Sequence, residues 1–87
     1  MLPTDSVSQA VLQMVSSHTT VPKEHITLDS RIFSDLGIDS LGLIGLFLEI
    51  EDYFQLSEHL RDDPSLRTVG DLVQEVRSML GLGHYAA

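Results

Sequence analysis

Three stretches of the chain repeat apolar residues at helical spacing, each bounded by residues that start or stop a helix. In the first, Val7, Ala10, Val11, Met14 and Val15 share one face, the spacing of a helix with one buried side. Thr4 or Ser6 can cap its start, and Ser6 with Gln9 has capping-box spacing. Ser, His and Thr crowd together from Ser16 to Thr20, which predicts its end. In the last stretch Val69, Leu72, Val73, Val76 and Leu80 make the stripe. Thr68 is its expected cap, with Asp71 as reciprocal partner, and Gly81 and Gly83 mark its end.

The middle stretch is less simple. Gly37 permits a turn, Asp39 is a good N-cap, and a helix is expected from Ser40 to about Phe54. Stepping about 100° per residue from Ser40, the residues Leu43, Leu46, Phe47, Ile50 and Phe54 form a broad core face. Leu41, Ile44 and Leu48 fall in a second sector, beside Ser40. One helix of a small bundle cannot easily bury both sectors, so the second stripe is expected to be exposed and to mark a partner site. A neighbouring loop that covers it is the alternative. Two costs accompany this helix. Gly42 and Gly45 lie inside it, each unfavourable by roughly 0.8–1 kcal/mol relative to alanine. Glu49, Glu51 and Asp52 lie toward its C-terminus, where the dipole disfavours negative charge. Close approach and docking to a basic partner would explain them; helix packing and solubility would do so equally.

The segments between helices complete the plan. From Pro22 to Asp39 the chain carries apolar anchors at Ile26, Leu28, Ile32, Phe33, Leu36 and Ile38. These predict an ordered loop despite its length, with a helical turn near Ser30 to Ser34. Gln55 to Arg67 is polar and broken by Pro64, with room for one short helix near Ser57 to Arg61. Beyond a brief alternation around Ile26 and Leu28 there is no strand pattern. The expected fold is all-α: a four-helix bundle of three main helices plus one short one, with a long ordered loop after the first. One domain is expected over residues 1–87, its ordered core about residues 5–80 and its tail, 81–87, frayed.

Composition narrows the function. Thirteen acidic residues against five basic ones give a formal charge of -8, which disfavours nucleic-acid backbones and stable membrane association. It suits solubility or docking onto basic partner surfaces. Cysteine is absent, so neither a disulfide framework nor a thiolate metal site is expected. The apolar run Leu41 to Leu48 is too short to span a bilayer, and no secretory leader is visible. A cytoplasmic monomer is the expectation.

Ser40 is the candidate for chemistry. As a nucleophile it needs a histidine base and an orienting carboxylate. Yet His18, His25, His59 and His84 are scattered, and residues 38–42 are not a G-x-S-x-G elbow. No H-E-x-x-H metal spacing occurs. The pattern points instead to a serine that another enzyme modifies, because a helix start favours a phosphorylated side chain.

"DLGIDSL", followed by an apolar run and "EIEDYF", resembles the attachment region of acyl carrier proteins, and "TVGDLV" at residues 68–73 extends the likeness. The resemblance spans roughly residues 5–80 and implies a four-helix carrier fold. It implies that Ser40 carries a 4′-phosphopantetheine arm, installed from coenzyme A by a phosphopantetheinyl transferase. Acyl-loading and acyl-processing enzymes would then be partners of a carrier that has no catalytic activity of its own. Asp39 matches the acid before the modified serine, and Leu41, Ile44 and Leu48 match the family's recognition positions. Typical fatty-acid carriers have acids where this chain has Gly42 and Gly45, leaving Asp35, Asp39, Glu49, Glu51 and Asp52. This departure suggests a specialised carrier, of polyketide or fatty-acid-like intermediates, over the housekeeping one. A peptidyl or aminoacyl carrier and an unmodified helical interaction module are the alternatives. Leu43, Leu46 and Ile50 are the expected lining if cargo folds back into the bundle.

Overall fold

Val7, Val11, Met14 and Val15 are buried along one face of the first helix, α1, which runs Ser6–Ser16 in a computed structural model that describes residues 6–81. Ala10 packs against the same core from its edge. Ser6 is itself helical and so is not the residue before the helix; the alternative cap, Thr4, lies outside the described residues. The helix ends where expected. The Ser16 and Ser17 hydroxyls donate to the carbonyls of Gln13 and Met14, both at 2.7 Å, so side chains occupy acceptors that remain free at a helix end.

Two further helices, α2 (Ser40–Phe54) and α3 (Val69–Met79), complete the bundle, and α1 packs against both. The core face of α2 is as expected: Leu43, Leu46, Phe47 and Ile50 are buried and Phe54 is half-buried. In α3, Val69, Leu72, Val73 and Val76 are buried, with Leu80 at their edge. The capping box at its start is complete. Asp71 N–H donates to Thr68 Oγ1 at 3.1 Å, and Asp71 Oδ2 accepts from Thr68 N–H at 3.0 Å. Gly81 takes a left-handed φ of 77° just past the helix, while Gly83 lies outside the described residues, as does most of the tail.

The long α1–α2 loop is ordered by its anchors. Ile26, Ile32, Leu36 and Ile38 are buried and Leu28 is half-buried, but Phe33 is 44% exposed and is not an anchor; Lys23–His25 form a 3-10 turn. The expected helical turn is present a residue later than predicted: Arg31 and Phe33 carbonyls accept from Asp35 and Gly37 N–H, both at 3.0 Å. The same loop satisfies the first amides of α3, since Val69 N–H donates to Ser30 O and Gly70 N–H to Leu28 O. An isolated antiparallel bridge between Arg31 and Thr68 joins the two segments; the described residues contain no longer strand pairing.

The short helix expected at Ser57 to Arg61 does not form. Residues 55–68 connect α2 to α3 without a helix, so the described residues form three helices and the 3-10 turn. A long-range bond replaces the local ladder. Leu60 N–H donates to Glu51 Oε2 at 2.7 Å, and Leu60 and Leu66 are buried as anchors. Asp63 accepts from both the amide and the hydroxyl of Ser65, turning the chain at Pro64.

Candidate functional site

Ser40 stands where the long loop becomes α2, and three neighbours fix that point. Gly37 has a φ of 67°, a left-handed turn that suits glycine. Ile38 is buried and pins the chain to the core. Asp39 is extended, and its Oδ1 accepts from Gly42 N–H at 2.8 Å, which makes it the N-cap. The chain thus leaves the core at Ile38 and presents Asp39 and Ser40 to solvent. Among the described residues the Ser40 hydroxyl has no hydrogen-bond partner. A hydroxyl that is exposed, unpaired and set at a helix N-terminus is free to take an anionic substituent.

The second stripe is open. Leu41, Ile44 and Leu48 are 79%, 55% and 58% exposed, so no loop covers them. On one side of the stripe a groove of about 320 Å³ runs from Ser40 along Leu43, Ile44, Phe47 and Leu48 to Leu60 and His59. Leu43 therefore reaches the groove, but Leu46 and Ile50 are fully buried and do not line it. Both belong to the buried core of the bundle. A larger depression of about 520 Å³ lies between residues 58–66 and α3; Glu58, Arg61, Asp63 and Glu75 make it polar, and it does not include Ser40.

The acids around the site are not equivalent. Asp52 is exposed. Asp35 is exposed too, although its carboxylate accepts from Arg31 N–H at 2.8 Å. Glu49 Oε1 lies 2.8 Å from His18 Nε2, a contact 31 residues apart in sequence. Glu51 turns inward: its side chain is only 12% exposed and holds both His59 Nδ1, at 3.0 Å, and the Leu60 amide. Burial pushes its carboxyl up, but the bonds from His59 and Leu60 outweigh this and hold it below the usual 4.5. Glu51 is thus a tie within the fold and not an outward-facing acid.

Neither glycine of α2 packs against another helix. A β-carbon at Gly42 would meet Ile38 Cγ2 at 3.2 Å and Asp39 Oδ1 at 3.3 Å; one at Gly45 would stand 3.5 Å from the His18 ring. Sequence spacing left the histidines scattered, and in the structure two of them, His18 and His59, bond glutamates of α2. No local pattern announces His18–Glu49, because the partners belong to different elements. His59 shares the groove with Ser40, yet its ring is bonded to Glu51 and makes no hydrogen bond to the serine. Among the described residues no three His, Asp or Glu side chains are placed to hold a metal ion. No helix among them is long and apolar enough to cross a membrane.

Known proteins are similar to this chain in sequence. Residues 9–76 match the family model described as "Phosphopantetheine attachment site". The acyl carrier protein of Rickettsia canadensis (strain McKiel) is 32% identical over 77 residues, covering 88% of this chain and 90% of the relative. That of Rickettsia rickettsii (strain Iowa) matches with the same identity and coverage. The acyl carrier protein of Thermotoga maritima is 29% identical over 77 residues, 88% of this chain and 95% of the relative. With the model spanning most of the helical bundle, Ser40 included, the chain belongs to the acyl carrier protein family, whose cofactor is a covalently attached 4′-phosphopantetheine.

Proposed function

We propose that Ser40 is the attachment residue and that the protein presents acyl or related intermediates to partner enzymes. The observation that carries this is the exposed, unpaired Ser40 hydroxyl at the start of α2, beside an open apolar stripe. When attached, the arm supplies a terminal thiol that holds cargo as a thioester. The chain's own residues do the rest. The dipole of α2 and its unpaired first-turn amides favour the phosphodiester's negative charge. Asp39 caps the helix and offers a carboxylate to the transferase that modifies its neighbour. Leu41, Ile44 and Leu48 are the docking stripe, flanked by Asp35, Glu49 and Asp52; Glu51 supports it from beneath by fixing Leu60.

Residues 1–87 act on this reading as one carrier domain with no catalytic group of their own, a monomer in the cytoplasm. Its partners are a phosphopantetheinyl transferase and enzymes that load and process acyl groups. Gly42 and Gly45, where typical fatty-acid carriers have acids, favour a specialised biosynthetic role over the housekeeping fatty-acid one.

Intact mass spectrometry tests the reading. Incubation of the apo protein with coenzyme A and a broad-specificity transferase should add one phosphopantetheinyl group per chain, and none to Ser40→Ala. An unmodified wild type, or an equal gain on the variant, refutes it.

A further inference from the structure

The ring of His18 sits over Gly45, with Cε1 3.5 Å from where a β-carbon would be, and its Nε2 is 2.8 Å from Glu49 Oε1. Its side chain is only 23% exposed. The ring is held in place from α1: His18 N–H donates to Val15 O at 2.9 Å, and next in sequence the Thr19 hydroxyl donates to Leu36 O at 2.6 Å. Gly45 and Glu49 are about one helical turn apart and lie next to Leu41 and Leu48 around α2. The ring therefore forms one edge of the exposed stripe. A longer side chain at position 45 would compete for the space the ring occupies.

On the opposite edge Glu51 is taken by His59 and Leu60. Both glutamates bordering the stripe thus have partners inside the chain. A lysine or arginine on another protein that takes both oxygens of Glu49 has to share Oε1 with His18 or displace it, and the displaced imidazole would lose its acceptor.

We infer that His18 is a specificity-determining residue of the docking face. By occupying Glu49 it removes one acid from the docking face, and so selects a partner enzyme that places an apolar group, not a lysine or arginine, opposite Glu49. Charge complementarity carries this choice: beside Leu41, Ile44 and Leu48 a cation of the partner finds exposed Asp52, while Glu49 is already bonded. The inference rests on the carrier reading of Ser40.

The experiment uses the holo protein at low ionic strength. Its affinity is measured for a transacylase chosen for a docking surface rich in arginine and lysine. His18→Ala frees Glu49 and should bind this probe about two- to fivefold tighter, the range of one exposed charge pair. His18→Gln keeps a donor for Glu49 and should stay near wild type. The gain should vanish in His18→Ala combined with Glu49→Gln. Glu49→Gln alone, which does not depend on the stability of the His18→Ala variant, should change affinity little. Unchanged or weaker binding by folded His18→Ala, a gain that persists in the double variant, or a several-fold loss from Glu49→Gln overturns the inference. Intact mass on the same samples separates the two claims. Wild type loaded on Ser40 with any of these results overturns the role of His18 alone, whereas wild type that cannot be loaded overturns the carrier reading itself.

Discussion

Glu51 accepts the backbone N–H of Leu60 at 2.7 Å, so one side chain in the last turns of α2 fixes the segment that follows the helix. The bond is charge-assisted and mostly shielded from water, since the Glu51 side chain is only 12% exposed. Glu51→Ala leaves the Leu60 amide without its acceptor and should lower stability by roughly 1–3 kcal/mol. Glu51→Gln keeps a carbonyl oxygen for Leu60 and should lose less. Urea unfolding of the three proteins gives the order. Amide hydrogen exchange at Leu60 should accelerate in the alanine variant without similar change at Val11 or Val76.

The same carboxylate makes stability depend on pH. Hydrogen bonds hold Glu51 below 4.5 in the folded state despite its burial. The amides of Arg67 and Thr68 hold Asp71 below 3.8 against a smaller desolvation cost. Folded values below the unfolded ones mean that the unfolded chain binds more protons as pH falls. The stabilisation is present above about pH 5 and is lost as pH falls through the folded pKa values of these groups. Thermal unfolding from pH 7 to pH 3 should show a falling melting temperature on the acid side. That fall should be shallower in Glu51→Gln and in Asp71→Asn, each of which starts from a lower value at pH 7.

Part of this could be read from residue types alone, and the limit is physical. Asp39 before an apolar run and Thr68 with Asp71 three residues on are local signals, and the structure places α2 and the α3 capping box where they predict. The split of α2 into core and open faces also follows from spacing, because at about 100° per residue Leu41, Ile44 and Leu48 fall in a different sector from Leu43, Leu46, Phe47 and Ile50. The segment at Ser57 to Arg61 was not legible. Its fate is decided by a carboxylate on another element, nine residues from Leu60. His18 illustrates the same limit at greater range: only folding brings it over Gly45, and its imidazole carries no pattern that names Glu49.

The two α2 glycines should respond differently to alanine. At Gly45 the new β-carbon meets His18 Cε1 at 3.5 Å, an ordinary contact. Gly45→Ala should therefore stabilise the protein by up to roughly 0.8–1 kcal/mol, the difference in helix propensity. At Gly42 the β-carbon meets Ile38 Cγ2 at 3.2 Å and the capping oxygen of Asp39 at 3.3 Å. Ile38 is buried and the Asp39 oxygen already accepts from Gly42 N–H, so neither yields freely. Gly42→Ala should gain less than Gly45→Ala or lose stability. Paired urea midpoints decide this, and a larger gain at position 42 would show that the cap adjusts at no cost.

Asp39 combines a structural role with a proposed recognition role, and substitution can part them. Its Oδ1 accepts from Gly42 N–H at 2.8 Å, an N-cap bond that asparagine can keep through its side-chain carbonyl and alanine cannot. Asp39→Ala should cost about 1 kcal/mol of stability, while Asp39→Asn should stay within a few tenths of wild type. The charge differs in the opposite sense, because asparagine and alanine both remove it. If the transferase reads the carboxylate beside Ser40, both variants should accept the phosphopantetheinyl group more slowly, although only one is destabilised. Initial rates of mass gain at sub-saturating carrier concentration measure this. A normal rate for Asp39→Asn with a slow one for Asp39→Ala would mean that the transferase needs the ordered helix start and not the charge. Recognition would then rest on the geometry of Ser40 and the stripe that begins at Leu41.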